Sequence, residues 1–448
     1  MLNIRNNKIN HGSILWNKAI DLIVGGCGLL SKRPTRYTAS TWPSYYKKAR
    51  GIKICSLNNI WYRDFTEFSI GCNLLGYSQN FNSRLLSKLK KSPPLTTLLS
   101  PHEPLLANDL NNFLEKDLVW RFTRGGGEAL SLAVRFARSL KERKNILIYG
   151  YHGWHDWYLA TNLNSNSNLD QIFLKGLSPK GVPDSLNKTV FTVSQIENND
   201  IYKFVNENNI GILVVEFARY EFLPQESIQI IKNLQESGCL IVADEVTSGL
   251  RVKNKLAVSN CNINPDILVL GKSLGGGWPI AGVGCKSLLK NKLEEVFASS
   301  TFWTEQIGFL AARQLLNEIK NYDHFYKKLE KISLSIKREL EFNFVQNGID
   351  YNINSIATMI SFKFNFKGLD ERESSALLSD FMLDKGFLFS STIYPTIAHD
   401  KFSIKKFGQA LSQSLQEINL LIKDNKDLKE HISKLGFLEK GFSRTQRL

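Results

Sequence analysis

Through the middle of the chain, short runs of branched apolar residues alternate with longer stretches whose apolar positions recur every three or four residues. The short runs are Ile146–Tyr149, Phe191–Val193, Ile212–Glu216, Cys239–Asp244 and Ile267–Leu270. Their apolar residues stand in succession rather than at every second position, the habit of strands buried on both faces of a parallel sheet. Between them, a stretch near Ile201 and Gln225–Gln235 carry helical spacing, a strand returns near Val283, and Leu288–Val296 reads as helical. This alternation predicts a mainly parallel sheet with crossover helices.

The flanks read differently. Ile14–Ile23 has the spacing of a short amphipathic helix ended by Gly25-Gly26, and Gly51–Cys55 with Asn59–Asp64 reads as a hairpin turning at Asn58-Asn59. Pro104–Leu114 is helical, and Leu118–Phe122 runs into Thr123-Arg-Gly-Gly-Gly-Glu128. From Glu128 to Lys141 the residues Leu130, Ala133, Val134, Ala137 and Leu140 fall on one face, so a glycine-rich turn opens a helix. Residues 161–190, rich in Asn, Ser, Gly and Pro, predict a loop. Later, Gln306–Phe344 is helical, 355–365 a strand, Ser374–Lys385 a helix, a strand lies near Phe387, and Ser403–Ile422 is a Lys-rich helix. Beyond Asp424 the polar composition predicts a loosely held tail. The expected organisation is residues 1–80 contributing to a small domain, 81–325 a large domain, and 326–448 completing the small one.

Composition narrows the class without changing it. Across 448 residues, 43% are hydrophobic and 22% charged, proportions of a globular protein with room for a full core. No apolar run reaches the roughly 18 residues of a membrane span, and the first residues lack a signal-peptide pattern, so a cytoplasmic protein without a membrane partner is expected. The six cysteines are scattered, without C-x-x-C spacing, and read as reduced thiols with no metal site. With 57 basic and 42 acidic residues the net charge is +15, but the lysines are dispersed rather than gathered with aromatics, so no nucleic-acid partner is expected.

Two of the apolar runs end in chemistry. Leu240-Ile-Val-Ala leads to Asp244-Glu245, and Ile267-Leu-Val-Leu leads to Gly271-Lys272. In open α/β sheets reactive groups sit beyond the carboxyl ends of strands. A lysine against apolar walls sheds its proton and becomes a Schiff-base nucleophile, and a neighbouring carboxylate holds a ring nitrogen protonated. That pairing suits pyridoxal 5'-phosphate. Read singly, Lys272 could be a surface lysine and Asp244 a turn cap. Gly271-Lys272-Ser273 also mimics the end of a phosphate-binding P-loop, but that motif requires glycine at position 266, where Asp266 stands.

The segments DEVTSGLR (Asp244–Arg251) and GKSLGGGWPIAG (Gly271–Gly282) resemble the core signature of the class III, fold-type I aminotransferases that use pyridoxal phosphate. GYHGWHDWYLA (Gly150–Ala160) and STFWTEQIG (Ser300–Gly308) resemble the glutamate-1-semialdehyde aminomutase-like branch. The resemblance runs from about Ala39 to about His399. It implies a fold-type I α/β enzyme, with a mainly parallel sheet in a large cofactor domain and a smaller α+β domain from both chain ends. It further implies Lys272 as the Schiff-base residue, Asp244 at the pyridine nitrogen, Val246 on one face of the ring and Tyr151 stacked on the other. His152 and His155 stay open between the site and ordinary loop packing. Gly126 and Gly127, at a helix start, would present amides to the phosphate. The family usually carries Ser or Thr where Gly127 stands, so one hydroxyl donor is missing. Thr301 would reach the phosphate of a neighbouring subunit, which implies a homodimer with shared active sites, although a helix-cap role for Ser300, Thr301 or Thr304 is the plain alternative. Glu216 and Arg219 are candidates for orienting substrate, with a solvated Glu216 equally open.

The activity implied is transfer of an amino group from a small-molecule amine donor to an aldehyde or ketone acceptor. Two alternatives stand beside it: an intramolecular glutamate-1-semialdehyde 2,1-aminomutase making 5-aminolevulinate, and a catalytically silent binding or regulatory protein of the same fold. Departures at Gly127 and in Tyr77–Leu99 favour transfer between two molecules.

Overall fold

The computed structural model describes residues 10–90, 92–163, 169–171, 175–197, 200–356, 358–423, 425–439 and 441–442. They divide into two compact units. One comprises the residues up to Phe68, Leu74–Gln79 and those from Lys327 onward; the other comprises Ser69–Asn73 and Asn80–Tyr326.

The first unit opens with β1 (Tyr46–Arg50), β2 (Lys53–Ser56) and β3 (Trp61–Phe65), an antiparallel set in which Asn59 takes the left-handed turn conformation (φ 60°) between β2 and β3. The second unit is built on β4 (Leu118–Thr123), β5 (Asn145–Tyr149), β6 (Val190–Thr192), β7 (Ile210–Val215), β8 (Leu240–Glu245), β9 (Ile267–Leu270) and β10 (Ala281–Lys286). Their order across the sheet is β4-β10-β9-β8-β7-β5-β6. β10 runs antiparallel to β4 and β9, and the other pairings are parallel.

Every residue of β7, β8 and β9 is buried, as expected for strands covered on both faces. The helix Gly126–Ser139 buries Leu130, Ala133, Val134 and Ala137 in one cluster with Ile148, Val214, Val242, Val269 and Val283. Each fully buried Val, Leu or Ile of this kind contributes roughly 1.5–3 kcal/mol. The sheet is therefore a stiff support, and the residues just past β8 and β9 inherit its precision.

The remaining strands are β11 (Tyr351–Ile356), β12 (Met359–Phe364), β13 (Phe387–Phe389) and β14 (Thr392–Ile393). β13 joins β3 in parallel, and β11, β12 and β14 form a separate antiparallel sheet. Phe65, Phe362, Phe389, Phe407, Leu377 and Leu411 share the core of this unit, with Phe65 and Phe407 stacked at 4.3 Å.

Several expectations change. The strand read at 355–365 is a hairpin of β11 and β12; Asn352 and Asn354 dilute the apolar signal of its first arm. The helical stretch from Gln306 breaks into Gln306–Asn321 and Phe325–Gln346, with His324 in the left-handed region (φ 57°) between them. A helix spans Gln79–Leu89, where none was expected. Of the tail beyond Asp424, residues 440 and 443–448 lie outside the described residues, and the described part is held: a helix covers Asn425–Lys434, and the buried Glu439 accepts from Arg33 Nη1 (2.9 Å) and Thr35 Oγ1 (2.8 Å). Its polar sequence hid a buried charge pair rather than a free end. Of the loop read at 161–190, residues 164–168 and 172–174 lie outside the described residues, and the rest includes short turns at Leu169–Gln171 and Asp184–Leu186. Among the described residues no helix is long and apolar enough to cross a membrane.

Candidate active site

β8 and β9 are neighbours in parallel register, with Asp244 opposite Val269 and Glu245 opposite Leu270. Asp244 is the penultimate residue of β8, with its side chain 1% exposed. Its Oδ1 accepts from the Val246 amide at 3.0 Å, and its Oδ2 lies 2.7 Å from His152 Nδ1. A carboxylate only accepts, so His152 carries its proton on Nδ1 toward Asp244. Its other nitrogen, Nε2, is buried without a partner. Glu245 turns to a different set, accepting from Ser248 Oγ and the Val258 amide, and burial pushes its carboxyl up to about 7.

Lys272 lies two residues past β9. Its backbone sits in the left-handed region (φ 42°), costing a non-glycine residue on the order of 1 kcal/mol. The turn Lys272–Gly275 holds it there, with Leu274 N bonded to Gly271 O (2.9 Å) and Ser273 Oγ to Gly249 O (2.6 Å). The amine donates to Thr247 Oγ1 at 2.9 Å. Loss of water lowers the Lys272 pKa to about 8, and the Arg219 cation adds to this, while Glu216, Asp244 and Cys72 pull it back up. A substantial neutral fraction near physiological pH is what a nucleophilic amine needs.

Glu216 follows β7, and it is buried rather than solvated. Its Oε1 binds Arg219 Nη2 at 2.6 Å, and its Oε2 accepts from Arg219 Nε at 3.2 Å and from the Tyr151 amide at 2.9 Å. The guanidinium thus meets the carboxylate as a two-point fork and lies 5.9 Å from the Tyr151 ring centroid. Tyr151, partly buried after β5, meets Tyr158 edge-on at 5.8 Å.

On another side stands the helix Gly126–Ser139, whose first amides lack intrahelical partners by geometry. A Cβ on Gly126 would come within 2.7 Å of Val246 Cγ1, and one on Gly127 within 2.9 Å of His155 Cε1. Glycine at both positions keeps the helix start open between Val246 and His155. Glu128 Oε2 accepts from the Arg124 amide at 2.9 Å, and its Oε1 from Trp303 Nε1 at 2.7 Å. Arg124 binds the carbonyls of Phe302 (2.6 Å), Trp303 (3.0 Å) and Glu305 (2.6 Å). The turn Thr301–Thr304 is therefore tied beside the glycine-rich loop of its own chain, with Thr301 exposed. The cap of the following helix is Glu305, accepting from the amides of Ile307 and Gly308, and not any of the three hydroxyls expected.

Direct contacts or electrostatic influence thus link Lys272, Asp244, His152, Tyr151, Glu216 and Arg219, and Val246 connects them to Gly126. Sequence pattern does not single out Thr247 or Arg124: a hydroxyl two residues past a strand and an arginine before a glycine run have no distinctive spacing. The residues fit pyridoxal phosphate. Asp244 is the penultimate residue of β8 and Lys272 lies two residues past the neighbouring β9, Val246 packs against Gly126 and Gly271, Tyr151 is held at Glu216, and Gly126-Gly127 leave a side-chain-free cradle at a helix start. Two buried imidazole nitrogens, His152 Nε2 and His155 Nδ1, have no partner.

Residues 37–392 match the family model described as Aminotransferase class-III. The chain is 28% identical over 436 residues to the glutamate-1-semialdehyde 2,1-aminomutase of Wigglesworthia glossinidia brevipalpis, covering 93% of this chain and 95% of the relative. It is 23% identical over 378 residues to the 3-aminobutyryl-CoA aminotransferase of Cloacimonas acidaminovorans (strain Evry), covering 81% and 86%. The PLP internal aldimine form of the Sphingopyxis sp. MTA144 FumI protein superposes with a TM-score of 0.81 at 19% identity, covering 94% of this chain and all of that one. It shares the fold-type I architecture.

Proposed function

This chain belongs to the class-III aminotransferases, whose cofactor is pyridoxal 5'-phosphate, and we propose that it moves an amino group from a small amine donor to an aldehyde or ketone acceptor. The observation that carries this reading is the Lys272 amine, strained in backbone, lowered in pKa to about 8 and under the electrostatic influence of Asp244. When bound, the cofactor supplies a carbonyl for that amine and a ring that holds the electrons released as the substrate loses its α-proton.

The chain's own side chains do the rest. Lys272 Nζ would hold the cofactor and, once released from it, would serve as the acid and base for the substrate's α-proton. Asp244 keeps a proton on the pyridine nitrogen, and His152 orients Asp244. Tyr151 and Val246 hold the ring from its two faces, and the Gly126 and Gly127 amides take the phosphate. Arg219, already beside Lys272, offers a fork to a substrate carboxylate, with Glu216 as its resting partner. In this reading the unit Asn80–Tyr326 is the cofactor domain and the two chain ends form the small domain. The protein works in the cytoplasm as a homodimer, with Thr301 reaching the phosphate of the second subunit. Exposed Leu98, Leu99, Phe297 and Phe302 on the same unit are the kind of surface a second copy covers.

A second reading is supported by the aminomutase relative at 28% identity: the same steps, with the nitrogen returned to the same molecule. The test presents the cofactor-loaded protein with a panel of amines, including glutamate and 4,5-diaminovalerate, and follows conversion of the bound pyridoxal chromophore to its aminated form. Conversion by a simple donor, reversed by a carbonyl acceptor, supports intermolecular transfer. Rapid formation of 5-aminolevulinate from glutamate-1-semialdehyde without added donor replaces it with the mutase.

A further inference from the structure

At the start of the helix Gly126–Ser139, an imidazole occupies the space that a side chain at position 127 would fill. A Cβ there would lie 2.9 Å from His155 Cε1 and 3.1 Å from His155 Nδ1, closer than real Cβ atoms come to a ring without displacing it. The ring is held in place: Trp154 stacks on it at 4.3 Å with 24° between planes, and Gly153 turns the chain at φ 103° to bring it over Gly127. His155 Nδ1 faces this spot, is buried, and has no hydrogen-bond partner. A buried polar atom left unpaired is costly; the open helix amides beside it are donors that need an acceptor, and with its proton on Nδ1 the imidazole shares that need, so one anionic acceptor satisfies both.

We propose that His155 is a phosphate-binding residue of the cofactor site, its Nδ1–H donating to the cofactor phosphate in the place of the missing side-chain hydroxyl at Gly127. The proposal rests on the aminotransferase reading, since the phosphate is that of pyridoxal phosphate. A neutral imidazole with its proton on Nδ1 suffices to donate, and a protonated one adds charge to the bond. Gly127 and His155 are then one device: the glycine leaves the room and the imidazole supplies the donor. The two positions are 28 apart in sequence, so neither predicts the other without the fold.

The experiment uses apoprotein and two ligands, pyridoxal phosphate and pyridoxal, which differ only in the phosphate. Dissociation constants are read from the visible absorbance on titration, with circular dichroism confirming the fold of each variant. His155→Ala is expected to weaken pyridoxal phosphate roughly tenfold to a hundredfold, the worth of one hydrogen bond to a charged group, and to leave pyridoxal unchanged. Gly127→Ser alone is expected to weaken pyridoxal phosphate, because the new side chain meets the His155 ring. The double variant Gly127→Ser with His155→Ala is expected to bind it more tightly than either single variant, because the hydroxyl then has both room and a role. Equal weakening of both ligands by His155→Ala, no weakening of either, or simple additivity of the two substitutions overturns the proposal. A parent protein that takes up neither ligand overturns the aminotransferase reading as a whole, and is thus distinct from the failure of His155 alone.

Discussion

His152 and Asp244 form a pair sealed from water, with Nδ1 2.7 Å from Oδ2 and side chains 0% and 1% exposed. The imidazole fixes the carboxylate at the end of β8, and the Val246 amide fixes its other oxygen. Replacing Asp244 by Asn keeps the volume but removes the charge that would hold a ring nitrogen protonated. Turnover is expected to fall by about a hundredfold or more, as when one aimed charge or donor is removed from an active site. Single-turnover kinetics on a folded, cofactor-loaded variant checks this. A near-parental rate with an unchanged chromophore assigns the pair to structure alone.

The amine of Lys272 titrates near 8 because burial and then Arg219 disfavour its charge, against Glu216, Asp244 and Cys72. Capture of pyridoxal phosphate by apoprotein, which needs the neutral amine, is expected to speed up with a midpoint near pH 8. Arg219→Gln removes the cation and leaves Glu216 unneutralised, so the midpoint moves to higher pH. Stopped-flow absorbance across pH reads both. The linked stability has a definite sign: between about 8 and the ordinary lysine value of 10.5 the unfolded chain binds more protons, so the apoprotein gains stability as pH rises through that window.

Thr301 gives the proposed dimer its test. Lys272→Ala and Thr301→Glu homodimers are each expected to be inactive. A verified hybrid is expected to regain up to about half the parental activity per dimer, because one of two symmetric sites then has both residues. The Arg124 contacts, which tie the Thr301–Thr304 turn to the glycine-rich loop of its own chain, define the competing outcome. No recovery in hybrids places Thr301 with its own chain's site or outside any site.

The first unit carries its own pH signature. His399 is buried against Phe65 and Phe68, with Nδ1 accepting from the Thr396 amide (3.1 Å) and Nε2 donating to Asp64 O (3.2 Å). Burial drives its pKa down to about 4, more strongly than the Asp64 and Thr396 backbone groups and Asp400 raise it. The unfolded chain then binds the extra proton between about 6.5 and 4, so stability is full above that window and lost on acidification, by about 3 kcal/mol. Urea midpoints of the parent and of His399→Gln, measured across this range, check it; the variant's curve is expected to be flatter.

The sheet was legible because parallel strands buried on both faces are written as unbroken apolar runs, and β8 and β9 fell where Cys239–Asp244 and Ile267–Leu270 placed them. Lys272 and Asp244 stood out for the same reason, as polar residues ending apolar runs. What the sequence concealed depends on contacts between distant residues. Glu216 could not be told from a solvated carboxylate until Arg219 and the Tyr151 amide met it. Thr247 became visible only as the partner of the Lys272 amine. The cap at Gln306 went to Glu305 because a carboxylate reached two amides that the nearby hydroxyls did not. The Glu439 anchor joins positions 406 apart in the chain, beyond any local pattern.

Lys272 is expected to bind pyridoxal phosphate covalently. The direct measurement is reduction of the cofactor-loaded protein with borohydride, followed by peptide mass mapping. One pyridoxyl group is expected per chain, on Lys272, with loss of the visible absorbance, and Lys272→Ala is expected to yield no adduct. An adduct on a different lysine would move the Schiff-base role away from Lys272, and a parent protein that forms none would remove it altogether.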